Sequence, residues 1–491
     1  MALLNHFLKA FPALLPWVLK AAGPLRHAWW RWRLTPPTAP DPVTPDMVPQ
    51  SLQGYTDQLF YLPGQMVQFH LRALQPGNQL LLQHRTSAHS WHLIAEHSFD
   101  KIQQSDTLDE AQQGCHWTVG WSFELPVTLP QGYYRALLLN AELDLSSEIH
   151  FLVGTAAPSG KVAVLAPVTT WQAYNAYGGQ SLYRNAFAPE QVTLVSTLRP
   201  NTALTYARTN SHQHDLRIET NIYHWFDERY RADLLPDYWL EAHPEQLASY
   251  QVLVLAYHAE YFSEAMYQTL QKLVWQQGKS LLSLGGNQVY WQVRWYQNFT
   301  QLECPKNGTF FQNSPKRGGL WRHSSLPESQ LLGAQFTEAG MGTYAPYQVL
   351  APDHWLFENC QVQAGQFFGE KGLDGLPLSG DETDTSTWSS PQNTIVLARG
   401  VNKAQASQET DIYEAADKNW NGAGGGEITF TPFSEQHAVL ATGSIQSGAG
   451  LGIDKVFTQI IENFMQRYLH SATGNTSAAK TARAPVSGLT K

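Results

Sequence analysis

The feature that most restricts this chain is a set of short segments that are apolar at nearly every position. They are Val162-Ala163-Val164-Leu165-Ala166, Val192-Thr193-Leu194-Val195, Gln251-Val252-Leu253-Val254-Leu255 and Ser280-Leu281-Leu282-Ser283-Leu284. Successive side chains of a strand face opposite sides, so a run without alternation is buried on both faces, the texture of a parallel sheet covered by helices. Between the last two runs, Ser263 is placed to N-cap a helix. Its apolar positions Phe262, Met266, Leu270, Leu273 and Val274 recur at helical spacing, and Gly278 stands at its end. This β-α-β unit predicts two parallel strands with a right-handed connection. Later strands are expected at 394–397 and 438–440. A closing amphipathic helix is expected over 454–469, with Val456, Ile460, Ile461, Phe464 and Leu469 on its apolar side. The predicted class is α/β.

Upstream the texture differs. Val67-Gln68-Phe69-His70-Leu71, Gln79-Leu80-Leu81-Leu82 and Tyr134-Arg135-Ala136-Leu137-Leu138-Leu139 are short runs separated by turn residues, the pattern of a β-sandwich over 54–156 ahead of an α/β domain over 157–470. Prolines 36, 37, 40, 42, 45 and 49 mark a linker over 35–53. Residues 1–34 read as an amphipathic helix with cations flanking Trp29, Trp30 and Trp32, either lying on a membrane surface or docked on its own domain or a partner subunit. No span there is long and uncharged enough to cross a bilayer. Residues 471–491 form a Ser/Ala/Thr tail expected to be disordered.

With 15% charged and 12% aromatic residues the chain is a folded protein. A net charge of -9 without a basic, aromatic-interleaved tract argues against a nucleic-acid surface. Cys115, Cys304 and Cys360 are odd in number and far apart, giving neither a disulfide framework nor a CxxC metal site, and a cytoplasmic, reducing location fits best. Asn-x-Thr/Ser sequons at Asn298, Asn307 and Asn475 have meaning only in a secreted chain.

Ligands of an open parallel sheet bind beyond the carboxyl ends of its strands. Those ends are polar and aromatic here: 169–179 after the first run, His258-Ala259-Glu260 after the third, and Gly285-Gly286-Asn287-Gln288-Val289-Tyr290-Trp291 after the fourth. In an extended strand His258 and Glu260 face the same side. Such a pair can work as acid and base, bind a metal, or be a buried His bonded to a helix-capping Glu. Glu382, in Gly380-Asp381-Glu382-Thr383-Asp384, is either a second base or part of a solvated acidic loop. His212-Gln213-His214-Asp215 reads better as a solvated loop than as a metal site, since an i,i+2 His pair lacks a third ligand.

There is no G-x-S-x-G elbow, and no cysteine follows one of these apolar runs. Gly424-Gly425-Gly426 is not a phosphate loop. Activation of water by a metal or a general base is the economical remainder, and Tyr-rich loops suit a hard Lewis acid such as Fe(III).

Taken in order, the motifs Trp171-Gln172-Ala173-Tyr174-Asn175-Ala176-Tyr177-Gly178-Gly179-Gln180-Ser181-Leu182-Tyr183, His258-Ala259-Glu260-Tyr261, 285–294, 380–384 and Thr442-Gly443-Ser444-Ile445 resemble the C-terminal domain of the N,N-dimethylformamidase large (beta) subunit family, over about residues 160–470. The resemblance implies a glutamine-amidotransferase-like parallel-sheet domain preceded by a β-sandwich, without the usual Cys elbow. It implies mononuclear iron held by two Tyr and one Glu, and hydrolysis of a small amide to an amine and a carboxylate. Carried over, Glu260 is the carboxylate ligand, Tyr174 one phenolate and Tyr177 the next choice. His258 and Asn287 orient substrate or water, and Glu382 is the base. The second phenolate belongs in an Arg-Pro-Tyr segment that reads Arg199-Pro200-Asn201 here, which leaves Tyr206 or Tyr183 as substitutes. The alternative expectation is a non-catalytic binding or scaffold member docked to a membrane or partner through residues 1–34; under either reading a homo-oligomer is an expected assembly.

Overall fold

The structure, a computed structural model, describes residues 51–87, 90–105, 109–183, 190–206, 214–306, 319–337, 340, 342–403 and 424–470. The expected N-terminal helix, nearly all of the Pro-rich linker, the C-terminal tail, His212, and the sequons at Asn307 and Asn475 lie outside these residues.

A nine-stranded sheet forms the centre of the mixed α/β architecture. Its order is Asp233–Pro236, Val162–Ala166, Val252–Tyr257, Ser280–Gly285, Ala438–Ala441, Glu427–Pro432, Ile395–Gly400, Tyr347–Val349 and Phe367–Phe368. The first five strands are mutually parallel, as continuous apolar runs require. The remaining four are antiparallel, so the expectation of a wholly parallel sheet is corrected to a mixed one. Every residue of Val162–Ala166 is fully buried. The run at 192–195 does not join this sheet. Leu194–Ser196 heads a separate four-stranded sheet with Gln301–Glu303, Trp291–Tyr296 and Tyr261–Ser263.

The helices follow the periodicity. Ser263 caps Glu264–Trp275 by accepting from the Met266 N–H at 3.1 Å, and the helix buries Met266, Tyr267, Leu270, Leu273 and Val274. Phe262 lies in the strand before it. Lys455–His470 buries Ile460, Ile461 and Phe464, with the N–H of Phe457 donating to Asp454 at 2.8 Å. Each fully buried Leu or Ile of these faces contributes about 1.5–3 kcal/mol. Among the described residues no helix is long and apolar enough to cross a membrane.

Ahead of the sheet, a three-stranded sheet (Leu52–Thr56, Met66–Ala73, Val119–Glu124) and a five-stranded one (Phe60–Tyr61, Leu145–Val153, Gly132–Asn140, Asn78–Ser87, Ser90–Phe99) share a core of Val67, Phe69, Leu80, Leu82, Leu138 and Phe151. This β-rich region packs directly on the large sheet. Phe60, Tyr133 and Leu152 belong to the larger core, and Gln131 bonds both Asp233 at 3.1 Å and the Leu234 N–H at 3.0 Å. All described residues fall within one unit, Val48–Lys491.

Candidate functional site

The chain leaves Val162–Ala166 for the edge strand on one side and returns to Val252–Tyr257 on the other. The carboxyl ends of these two neighbours are therefore a topological switch point, where open α/β sheets hold ligands. Tyr174 ends the Val168–Ala173 helix that follows the first strand. The second strand does not stay extended, since Tyr257 adopts φ 58°. Asn287 (φ 46°), Val289 (φ 56°) and Asp381 (φ 67°) are also left-handed, and for a β-branched Val this is strained. Concentrated strain of this kind marks backbone held in place for a purpose.

The loops approach closely where glycine permits. A Cβ on Gly285 would meet the Tyr257 carbonyl oxygen at 1.6 Å, and one on Gly286 would meet the Ile445 nitrogen at 2.6 Å and the Glu382 carbonyl oxygen at 2.7 Å. The Thr442-Gly443-Ser444-Ile445 motif joins these loops. Ser444 N–H donates to the Gly285 carbonyl at 2.9 Å, Ile445 N–H to that of Glu382 at 3.1 Å, and the Asp384 N–H to that of Gly443 at 2.9 Å.

Five of the expected side chains meet here. Tyr174 Oη donates to Glu260 Oε2 at 2.7 Å, and His258 Nε2 lies 3.2 Å from the same oxygen and 3.9 Å from Glu382 Oε2. Asn287 Nδ2 donates to Glu382 Oε2 at 2.8 Å. His258 Nδ1 faces the Gly286 carbonyl at 3.0 Å, and since a carbonyl only accepts, that nitrogen carries a proton. Glu260 is 2% exposed, with its N–H on Thr170 Oγ1 at 3.0 Å, whereas the Glu382 side chain is 20% exposed. Glu382 is thus the acidic member open to an incoming molecule.

Burial pulls the His258 pKa down, but its bond to Glu260 and the charges of Glu260 and Glu382 outweigh this and bring it up to about 9. Burial raises Glu382 to about 7, opposed by His258 and by the Asn287 bond. Asp384, which accepts from the Asn287 N–H at 2.6 Å, is likewise raised by burial to about 7. Tyr174 is pushed well above the usual phenol range by burial and the Glu260 charge. The cluster thus favours a protonated His258, a neutral Tyr174 and a Glu382 that holds its proton to higher pH than an ordinary carboxyl. Burial raises the thiols of Cys115 and Cys304 to about 12 and of Cys360 to about 11, so none is a ready nucleophile.

Tyr177 is not part of this cluster, which corrects its expected place beside Glu260. Its hydroxyl donates to Gln53 at 3.2 Å and its ring packs edge-on against Trp117, because the left-handed Gly178 and Gly179 follow it and turn the loop. Tyr206 is held over Arg85 at 4.4 Å and against Trp91. Tyr183 stacks on Tyr174 at 5.2 Å. The side chain of Asn201 is occupied within its own loop, donating to the Trp171 carbonyl at 3.2 Å and accepting from the Ala203 N–H at 2.9 Å. The position expected for the second phenolate is therefore an amide bonded within its own loop, and Tyr183 is the phenol that lies against Tyr174. Among the described residues no three His, Cys, Asp or Glu side chains are grouped to hold a metal ion. Iron does not fit this chain's own residues as the resemblance arranges them.

Two buried features were not legible beforehand. Lys306, 2% exposed, donates to Tyr261 Oη at 2.8 Å inside a ring of Tyr183, Tyr261 and Trp291, beside Tyr174. A lone Lys after a short strand carries no signal of this. His214 and Asp215 are buried, not a solvated loop: Glu219 pairs with His214 and also accepts from Tyr133 at 2.8 Å and Trp171 at 3.1 Å, tying the β-rich region to the strand ends.

Fold and cluster together define a mixed α/β protein with a titratable site at the carboxyl ends of parallel strands and no nucleophilic thiol. A sequence model of the family described as N,N-dimethylformamidase beta subunit-like, C-terminal, matches residues 83–461, well over half of the chain. This protein belongs to that family. The match begins within the β-rich region, upstream of the expected 160. No curated protein matches the chain.

Proposed function

We propose that this protein hydrolyses the carbon–nitrogen bond of a small amide. The observation that carries the reading is Glu382, the one partly exposed carboxyl of the cluster, bonded to Asn287 and 3.9 Å from a buried His258. Its pKa of about 7 suits a general base at neutral pH. Glu382 takes a proton from water, whose oxygen adds to the amide carbon. His258, kept as an imidazolium, places positive charge beside the oxyanion that develops. Protonated Glu382 then returns its proton to the nitrogen, the C–N bond breaks, and an amine and a carboxylic acid leave. Family membership supports the same chemistry. The finer fold reading, a glutamine-amidotransferase-like α/β domain behind a β-sandwich, is supported by the five parallel strands and the left-handed turn at Tyr257.

The test is release of amine and carboxylate from formamide, N-methylformamide and N,N-dimethylformamide, followed by proton NMR. Turnover by the wild-type protein that falls about 10²–10⁴-fold in Glu382→Gln is the expected result. A folded wild-type protein that releases neither product from any of them overturns the proposal and leaves a binding role.

A further inference from the structure

We infer that Gln288 is the positioning residue for His258, holding the imidazole in place through the two peptide groups that flank it; the inference rests on the amide-hydrolysis reading above. Gln288 is fully buried. Its Oε1 accepts from the Ala259 N–H at 2.8 Å, and its Nε2 donates to the Tyr257 carbonyl at 3.4 Å. The carboxamide fits only one way round, because a backbone N–H donates and a carbonyl accepts. It therefore bonds the main chain on both sides of His258 as a neighbouring strand would, at the point where Val252–Tyr257 ends.

The backbone is bent to make this grip. Asn287 (φ 46°) and Val289 (φ 56°), on either side of Gln288, and Tyr257 (φ 58°), at the gripped turn, are all left-handed. Gly285 leaves the room, since a Cβ there would meet Gln288 Nε2 at 2.4 Å as well as the Tyr257 carbonyl oxygen. The same loop presents the Gly286 carbonyl to His258 Nδ1 at 3.0 Å, so residues 286 and 288 between them bond the ring and both flanking peptides. An apolar side chain of equal length would fill this space as well. What the carboxamide adds is a fixed position for the peptide groups that carry the imidazole. In the proposed reaction the His258 charge must stand at the developing oxyanion, and a misplacement of about 1 Å costs roughly 10²-fold in rate.

The experiment measures kcat and KM of the full chain at pH 6 on formamide, N-methylformamide and N,N-dimethylformamide, for the wild type, Gln288→Met and Gln288→Glu, with Tm recorded for each. Met matches the length of the side chain and makes neither bond, so kcat is expected to fall about 10–100-fold while KM stays within about threefold. A Glu buried here keeps its proton at pH 6, donates to Tyr257 and accepts from Ala259, so Gln288→Glu is expected to stay within about threefold of wild-type kcat. Gln288→Leu takes the place of the Met variant if that one does not fold. Wild-type kcat in the apolar variant, a KM that rises as far as kcat falls, or a Gln288→Glu no faster than the apolar variant overturns this inference while amide hydrolysis stands. Absence of wild-type turnover on all three amides overturns the two together.

Discussion

Asn287 Nδ2 donates to Glu382 Oε2 at 2.8 Å, joining loops that lie 95 positions apart in the chain. The bond ties the carboxyl nearest solvent to a residue whose own backbone is left-handed and whose N–H is anchored on Asp384. Asn287 therefore positions Glu382, while burial dominates its protonation and His258 and the Asn287 bond oppose that shift.

That coupling fixes a pH profile. Glu382 must lose its proton to act as base, and His258 must keep its own to stabilise negative charge. kcat/KM for amide hydrolysis is expected to rise as pH passes about 7 and to fall as it passes about 9. The Asn287 bond favours ionised Glu382, so Asn287→Ala moves the lower limb upward. Both groups have folded-state pKa values above their ordinary 4.5 and 6.5, so their contributions to stability are full below those values. The contributions are lost as pH rises through about 7 and about 9, and Tm measured from pH 5 to 10 should fall across that window. A flat rate profile over this range contradicts the assignment.

Gly286→Ala places a methyl group against the Ile445 nitrogen and the Glu382 carbonyl, 2.6 and 2.7 Å away. Both contacts are backbone, so no side-chain rotation relieves them. We expect a stability loss of about 1–3 kcal/mol in denaturant titration together with at least about a tenfold loss of turnover. Unchanged kinetics would show that the exact seat of Glu382 is unimportant.

Arg199 is fully buried and donates to four carbonyls, of Ser196 at 3.1 Å, Asn175 at 3.0 Å, Tyr177 at 2.5 Å and Gln180 at 3.2 Å. It holds the loop that follows Tyr174. A Lys ammonium cannot reproduce this planar fork, and Arg199→Lys is expected to cost roughly 2–4 kcal/mol by chemical denaturation. A cost below about 0.5 kcal/mol would contradict the role of these bonds.

Iron should be held below one equivalent in purified, desalted protein, because Tyr174 and Glu260 converge while Asn201 is bonded within its own loop. Elemental analysis checks this. A full equivalent that survives desalting and disappears in Tyr174→Phe would show that other donors complete the shell.

The amino-acid sequence by itself determined the local elements. Apolar runs specified doubly buried strands, Ser263 specified a helix start, and the residues after each run specified where a ligand would bind, because period, capping and strand-end chemistry act over a few residues. It also identified Tyr174, His258, Glu260, Asn287 and Glu382, which the structure brings together. Only the tertiary structure decided the rest. The antiparallel half of the sheet depends on pairing partners that strand periodicity does not encode. Tyr174 and Tyr177 are three positions apart with the same chemistry, yet one meets Glu260 and the other Gln53, because the chain turns between them and the partners come from different parts of the sequence. Lys306 and the His214–Glu219 pair are buried by aromatic rings contributed from elsewhere in the chain, and desolvation by distant neighbours leaves no trace in a local motif. His258 and Glu260 lie two positions apart in the sequence; only the fold buries them and brings Glu382, more than a hundred residues away, to 3.9 Å from His258.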